Sequence, residues 1–509
     1  YREAMQRPGA RPIDDARTPS GSTEGLGLVN RMPALLVAGL AAFLAVTWAR
    51  SFGLPLGDSH EGRVLGQFAL HVRNFWELGP VDSSFGADWR PFSDVPYTHH
   101  PPLLTGIHLL VSSVIGQGLW QLKAVSYLAG LATVPVLALV GRRLGFAAMP
   151  VAIAVGALVA TPWWWIYGRL GLGFLPNLLM IATVLMVADR PTAPGADGSG
   201  KGTGTGTGWA ATASLAAVAA SWHGMFLAPL LWVWLWRRRG LDRVVVVVGA
   251  AMAAGALVVL LWVTQGAGLG ELGDHAGRRI GVDRTVGEFL DRQWTFARGL
   301  LPGWYLVLAV PALVAGLADH RSRALTGMLV AMVVAFAVVP SDNAWIHDYW
   351  NFPVLLALFP GFAALADRVL GAQVLAGLGH SVQVAAVAVL LVGALVVLDA
   401  GNGHNRTFVT PAEAGHLLDA VGPAPGQEIL WHTPQVPWPT WGSAAWGLPP
   451  GALATRADVA TVSDGDRVVL RLDRLPAFVN RSVADDALAV RAPYAVVTGA
   501  DLRRHLSSD

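Results

Sequence analysis

The sequence predicts an all-α protein that crosses a membrane many times and ends in a small α/β domain. Of its 509 residues, 53% are hydrophobic and only 14% are charged, whereas soluble domains carry about 25% charged residues. Eleven apolar runs are candidate spans, although several are shorter than the ~20 residues that a straight transmembrane helix needs. The runs cover residues 32–50, 122–141, 146–162, 170–188, 209–221, 223–236, 244–264, 302–317, 323–340, 350–366 and 380–399. From about Gly401 onward this apolar character gives way to short mixed segments.

Two polar segments divide the chain further. Residues 1–30 carry charges of both signs and lack the apolar core of a signal peptide, so we expect a disordered cytoplasmic tail. Residues 190–208 include PGADGSGKGTGTGTG, a composition typical of a flexible linker. The predicted organisation is therefore a tail (1–30), a transmembrane domain (31–400) and an α/β domain (401–509).

Arginines near the ends of the apolar runs predict the orientation, because Lys and Arg concentrate in cytoplasmic loops. This rule places on the inner side Arg142, Arg143, Arg190, Arg237, Arg238, Arg239, Arg321, Arg323 and Arg368. Simple alternation satisfies it if residues 103–117, an apolar segment too short for a full span, lie in the interface or re-enter. The N-terminus is then cytoplasmic and the C-terminal domain extracytoplasmic.

The first loop on the predicted outer face, residues 51–102, concentrates ionisable side chains. The motif GDSHEG contains Asp58, His60 and Glu61, and Arg63 follows it directly. The motif YTHHPPL contains His99 and His100. The prolines after His100 restrict the backbone to extended conformations and so stiffen its placement. Apolar residues recur at helical spacing from Val64 to Trp76, which predicts an amphipathic helix in the membrane surface with one face in lipid.

Further polar residues emerge on the same predicted face. Arg169 lies in YGRLGLGFLPN, His223 in SWHG, and His347 and Tyr349 in SDNAWIHDYW. A polar group that interrupts an apolar run, such as His223, usually faces a cavity. The charged loop 265–301 either contacts a substrate or is solvated. Because the inner side carries mostly short arginine-bearing links, this asymmetry indicates chemistry on the outer face.

The region after Gly401 resembles a soluble domain in its patterning. EILWHTP, GDRVVLRLD and APYAVVTG predict strands, and PAEAGHLLDAV predicts a helix that begins at proline. It contains no catalytic motif that we recognise, so we interpret it as a lid or docking surface.

The acid-bearing loop that ends in HHPPL resembles the GT-C superfamily of membrane glycosyltransferases. The resemblance is to the branch that contains protein O-mannosyltransferases and the lipid A aminoarabinose transferase. It covers about residues 30–370 and matches Asp58, the segment 100–103 (HPPL), Arg169, and the late motif of His347, Tyr349 and Pro353. The chain departs from the family pattern at the second acid, which is displaced to Glu61, and at the Asp that commonly follows the arginine, which is absent.

The resemblance implies transfer of one sugar, with inversion, from a polyprenyl-phosphate donor to a lipid, cell-wall glycan or protein acceptor outside the bacterial plasma membrane. Asp58 would act as general base, with Glu61 as the alternative. The donor phosphate would be held by residues from several segments. These are His100, Arg169, Arg63, His99, His347, Tyr349 and His223. No nucleotide or metal is needed, although a metal site of His60, His99 and His100 is an alternative.

Other interpretations remain open. The acids are also compatible with a solvated helix start, Arg169 with snorkelling, and the histidines with ordinary interfacial positions. A lipid-linked sugar transporter or flippase is the main alternative function, although such proteins place charge near the bilayer midplane. An oligosaccharyltransferase and a scaffold are less compatible with the motifs. The absence of cysteine excludes thiol chemistry, and no basic patch indicates nucleic acid.

Overall fold

The computed structural model describes most of the chain. It covers residues 23–50, 52, 60–90, 96–98, 100–170, 174–188, 203–279, 284–371, 379–400, 417, 420–422, 426–427, 429–432, 450–453 and 455–506. Within these ranges only the backbone is described for residues 23–30, 60–63, 203–204, 266–279, 380, 397–400, 429, 431–432, 450–453 and 474.

The membrane domain is built from helices in close succession. They are α1 (Thr23–Ala49), α2 (His60–Asp82), α3 (Pro102–Ile115), α4 (Leu119–Arg143), α5 (Ala148–Val159), α6 (Pro162–Tyr167), α7 (Phe174–Ala188), α8 (Thr203–Ala220), α9 (Trp222–Arg239), α10 (Arg243–Arg279), α11 (Val286–Leu300), α12 (Gly303–Ala318), α13 (Arg323–Val338), α14 (Ser341–Ile346), α15 (Val354–Gly371) and α16 (His380–Ala400).

Several of these helices are suited to cross a bilayer. In the described part of the chain, four segments are long and apolar enough: Arg31–Ala49, Leu119–Arg143, Arg243–Gln265 and Val354–Gly371. Helices α11 and α12 pass the same test only together, as a pair bent by 117° that is either a broken span or a re-entrant loop, which gives up to five. The protein is therefore a multi-pass membrane protein, whereas eleven spans remain a prediction because α5, α7 and α13 are shorter apolar helices.

Helix α3 corresponds to the apolar segment that was too short for a full span. Its 14 residues extend about 21 Å at 1.5 Å per residue, less than the ~30 Å of a bilayer core. Leu110 and Val114 on this helix are 67% and 76% exposed. The helix thus has the length and the exposed apolar surface of a segment that enters the membrane only partly.

Helix α2 is amphipathic as predicted, but the predicted contact with lipid is wrong for the part of its apolar face from Leu65 to Val72, which is buried. Leu65, Phe68 and Ala69 are buried and pack against Leu122 of α4. Helical periodicity identifies an apolar face without identifying what covers it. Here the neighbouring helix covers it, and α2 is part of the protein core.

The largest hydrophobic cluster joins α1, α4, α5, α7 and α15 and includes the buried WWW run of α6. One glycine fixes the approach of two segments within it. A Cβ at Gly130 of α4 would lie 2.3 Å from the carbonyl oxygen of Gly168. The backbone that precedes Arg169 can therefore pack directly on α4 only because residue 130 is glycine.

The C-terminal region contains a five-stranded mixed sheet in the order β2-β1-β3-β5-β4. The strands are β1 (Ile429–His432), β2 (Pro450–Leu453), β3 (Arg467–Arg471), β4 (Ala489–Arg491) and β5 (Tyr494–Thr498), with helices α17 (Arg456–Ala460) and α18 (Gly499–Arg504). Strands β1, β3 and β5 coincide with the three predicted strand motifs. The predicted helix in residues 411–421 lies mostly outside the described residues.

Alternation explains how this sheet buries both faces. Val468 and Leu470 of β3 join Leu502 of α18 in one cluster, whereas Val469 packs with Val496 on the other face. Strand β1 pairs in parallel with β2 and β3, and β5 pairs antiparallel with β3 and β4. The extracytoplasmic position of this domain remains a prediction.

Candidate functional site

A cavity of about 60 Å³ lies where the starts of α3, α7 and α9 meet the segment after α14. Its lining residues are His100, Pro101, Leu104, Phe174, Ala220, Ser221, Trp222, His223, Phe336, Tyr349 and Trp350. Three predicted site residues, His100, His223 and Tyr349, thus come together from distant parts of the sequence. Sites for small-molecule ligands typically span about 300–1,000 Å³, so this space could hold part of a substrate rather than a whole sugar.

His223 is held at the start of α9 by the SWHG turn. Ser221 caps the helix, since its Oγ accepts a 3.0 Å hydrogen bond from the Gly224 amide, and Asn177 donates to the same Oγ at 3.0 Å. The His223 ring packs on Phe336 at 4.0 Å and hydrogen bonds to the backbone of Trp350. Its Nε2 is enclosed and makes no hydrogen bond to any described residue.

His100 is positioned by the proline pair and by an aromatic cluster. Pro102 is the first residue of α3, so His100 precedes a helix start whose backbone is restricted by Pro101. The ring of Tyr97 lies 5.8 Å from that of His100 and stacks on Trp89 at 4.6 Å. The end of the first loop, at His100 and Pro101, therefore forms part of the cavity wall.

His71 is a member of this aromatic cluster that the sequence did not predict. It is 1% exposed, and its ring lies 5.6 Å from Trp89 and 6.0 Å from Tyr97. Burial, with smaller contributions from His100 and His108, lowers the pKa of His71 from 6.5 to about 3, so the ring is neutral at physiological pH. Its position on the apolar face of α2 was the available signal, and a histidine there resembles a core residue.

Tyr349 lines the cavity and also contacts Tyr167 at the end of α6. Its ring stacks on His347 at 4.9 Å and lies 5.7 Å from Tyr167. The Tyr167 hydroxyl donates a 2.6 Å hydrogen bond to Oδ1 of Asp348, and both residues are buried. Burial first, and the Asp348 carboxylate second, raise the pKa of Tyr167, so the phenol stays protonated and donates. Neither Tyr167 nor Asp348 was predicted as a site residue.

Arg169 is buried beside α4 and is not among the residues that line the cavity. Only 4% of it is exposed, and its guanidinium lies 5.9 Å from the ring centre of Tyr127. Tyr127 also contacts Phe52, the last described residue before the GDSHEG motif, at 6.0 Å. Arg169 therefore lies near the start of the first external loop, two residues after Tyr167.

The predicted catalytic residues are only partly described. Asp58 and His99 lie outside the described residues. Glu61 and Arg63 belong to the first turn of α2, where only the backbone is described. The choice between Asp58 and Glu61 as base is therefore still a prediction.

The metal alternative is likewise untested. Among the residues whose side chains are described, no group of three or more His, Asp or Glu is placed to hold a metal ion. The alternative of His60, His99 and His100 includes two side chains that are not described. Metal independence remains a prediction.

A second, apolar cavity lies beside the first one. It is an open groove of about 350 Å³ between the end of α8, α9 and α10. The indole N–H of Trp232 donates to the Val245 carbonyl at 3.1 Å, which fixes this ring against Gly249 of α10. Small residues such as Ala253 and Ala256 leave the space open.

Trp222 lies between the two cavities. It lines the first one and, together with Met225 of the groove, packs on Val259 and Trp262 of α10. The face of α10 that borders the groove through Ala256 continues through Val259 at helical spacing. The first cavity and the apolar groove are thus adjacent along α9.

No family model and no curated protein matches the sequence. Solved structures, however, have a similar fold. ArnT from Cupriavidus metallidurans bound to undecaprenyl phosphate has a TM-score of 0.55 and 17% identity, covering 94% of this chain and 98% of that chain. The apo state of the same ArnT has a TM-score of 0.53 and 17% identity, over 94% and 99% of the two chains.

The archaeal oligosaccharyltransferase AglB from Archaeoglobus fulgidus has a TM-score of only 0.49 at 12% identity, covering 89% of this chain and 70% of that chain, which is too low to carry an argument. The ArnT similarity extends over nearly the whole of both chains. It shows that this chain shares the fold of ArnT, in agreement with the fold expected from the sequence.

Proposed function

We propose that the protein is an inverting glycosyltransferase that moves one sugar from a polyprenyl-phosphate donor to an acceptor on the outer face of the membrane. The single observation that carries this proposal is the convergence of His100, His223 and Tyr349 on one cavity, within a GT-C fold. The acceptor is a lipid, a cell-wall glycan or a protein, and the membrane is the bacterial plasma membrane.

The reaction requires a base for the acceptor. In our proposal Asp58 removes the proton from the acceptor hydroxyl as its oxygen attacks the anomeric carbon, with Glu61 as the alternative. The bond between the anomeric carbon and the phosphate oxygen breaks at the same time. The bonding electrons leave with the polyprenyl phosphate, which departs as a phosphate monoester.

The leaving phosphate requires hydrogen-bond donors and positive charge. The His223 ring bonds the Trp350 backbone through its other nitrogen, so its enclosed Nε2 would donate to the phosphate when the ring is protonated. His100 and Tyr349 line the same space. Preorganised donors of this kind stabilise developing negative charge strongly because they are not reoriented during reaction. Arg169 would add a permanent charge from the side of α4, and Arg63, His99 and His347 would complete the phosphate site.

The lipid tail requires an apolar path into the bilayer. The groove between α9 and α10 begins next to Trp222, which also borders the cavity. A prenyl chain in this groove would keep its phosphate within reach of His223. In support of a lipid-linked donor, ArnT, whose fold this chain shares, was solved bound to undecaprenyl phosphate.

The proposal is tested with the purified protein in lipid vesicles and radiolabelled polyprenyl-phosphate sugars. We expect transfer of label to an acceptor, with release of polyprenyl phosphate, and no loss of activity when a chelator is added. Movement of intact donor between leaflets without product would instead identify a flippase. Loss of activity that a divalent ion restores would support the histidine metal site.

A further inference from the structure

Helix α11 presents an apolar stripe that no described part of the chain covers. Val286, Leu290 and Trp294 follow each other at four-residue spacing and are 76%, 61% and 51% exposed. Residues four apart lie on the same side of a helix. The neighbouring exposed side carries Asp291 and Thr295, so α11 has an apolar outer stripe beside a polar one.

The remaining side of α11 is fixed to the segment that forms the cavity wall. Arg292 Nε donates to the Trp345 carbonyl at 3.2 Å, and Gln293 donates to the Ala344 carbonyl at 2.7 Å. Asn351 in turn donates to the side-chain oxygen of Gln293. These bonds hold α11 on α14 and on the residues after Tyr349, so α11 lies on the same membrane face as the cavity.

The angle between α11 and α12 indicates how α11 lies relative to the bilayer. Helix α12 is apolar, and its Val307 and Val310 are 73% and 67% exposed, as expected of a lipid-facing helix. Helix α11 is bent by 117° from α12. When α12 crosses the membrane, α11 therefore runs close to the membrane plane. Trp294 and Trp304 lie on either side of this bend, and tryptophan is enriched at membrane–water interfaces.

We infer that α11 lies in the outer membrane–water interface, with Val286, Leu290 and Trp294 inserted between lipids. Its charges are two acids, Glu288 and Asp291, and two arginines, Arg292 and Arg298, so they cancel. Insertion is then driven by apolar area and does not require anionic lipid. This contact fixes the wall that carries Tyr349 at the membrane surface, and the inference does not rest on the proposed reaction.

The natural chain has no cysteine, so single spin labels test this contact directly. We would label Leu290→Cys and, as matched control on the polar stripe, Thr295→Cys, in the full protein in zwitterionic vesicles. Oxygen concentrates in lipid, so frequent collisions of the spin label with oxygen indicate that the label lies in the bilayer. Frequent collisions with a water-soluble nickel complex indicate that the label lies in water. We expect Leu290→Cys to favour oxygen at least threefold over Thr295→Cys, close to the value for Val310→Cys on α12.

Equal access of nickel to both α11 labels would overturn the inference, because the stripe would then be solvated. Protection of Leu290→Cys from both reagents would also overturn it, because protein rather than lipid would then cover the stripe. Trp294→Cys provides a second label on the same stripe in case one substitution disturbs the helix.

Discussion

The Tyr167 phenol donates a 2.6 Å hydrogen bond to the Asp348 carboxylate, although the two residues are separated by 181 positions. The bond joins the turn before Arg169 to the segment that places His347 and Tyr349. Because both residues are buried, this hydrogen bond is shielded from water. It connects two segments to which we assign phosphate contacts.

Removal of this bond should destabilise the protein. Tyr167→Phe leaves the buried Asp348 oxygen without this donor, and such a loss costs about 1–3 kcal/mol. We expect a lower melting temperature in detergent and slower sugar transfer. The matched control is Tyr305→Phe, because the buried Tyr305 hydroxyl makes no hydrogen bond to a described residue. Equal melting temperatures for the two variants would show that the Tyr167 bond contributes nothing.

Arg169 should contribute to donor binding. Its loss in Arg169→Ala would remove a charge-assisted contact to phosphate, worth about 1.5–3 kcal/mol, which corresponds to a 10- to 100-fold weaker donor affinity. Arg169→Lys should retain part of the affinity because it keeps the charge but not the fork geometry. Titration with a polyprenyl phosphate measures the dissociation constants. Unchanged values in both variants, with normal folding, would exclude a phosphate contact.

The buried His71 should make stability depend on pH. Its folded-state pKa of about 3 lies below the ordinary value of 6.5, so the unfolded chain binds more protons between these values. Stability is therefore highest above pH 6.5 and falls as the pH decreases, by about 2 kcal/mol at pH 5. His71→Phe, which cannot titrate, should show a smaller loss between pH 7 and pH 5 in thermal melts. The same loss in both proteins would mean that His71 is not the responsible group.

The groove should select for the length of the donor tail. Ala253→Phe places a ring in the groove, whereas Ala254→Phe, one position along α10, adds the same ring on a residue that does not line it. Each buried methylene contributes about 0.8 kcal/mol, so Ala253→Phe should weaken a long-chain donor tenfold or more. A short-chain donor should bind both variants alike. A tail-length preference that is identical in the two variants would place the tail elsewhere.

The sequence predicted the parts of this structure that depend on local pattern. Hydrophobic runs identified the apolar helices, and the motifs GDRVVLRLD and APYAVVTG identified β3 and β5. The motifs around His100, His223 and Tyr349 indicated residues that do meet in one cavity. His223 interrupts an apolar segment, His100 precedes the proline pair that starts α3, and Tyr349 precedes an apolar run, and all three features are visible without knowledge of the fold.

The sequence did not predict contacts that depend on packing between distant segments. The partnership of Tyr167 and Asp348 has no local signature. His71 was missed because it occupies an apolar helix face, and the same face was wrongly assigned to lipid although α4 covers Leu65 and Phe68. The position of Arg169 beside Tyr127, rather than in the cavity, depends on the approach of two helices at Gly130.

The most direct test of the proposed reaction separates donor binding from turnover at Asp58. In Asp58→Asn the amide cannot accept the acceptor's proton, so we expect transfer to fall by at least a factor of a hundred while the donor dissociation constant changes less than threefold. Glu61→Gln, measured in parallel, should retain most activity. Full transfer by Asp58→Asn together with an inactive Glu61→Gln would contradict the assignment of Asp58 as base, and full transfer by both variants would contradict general-base catalysis from this loop.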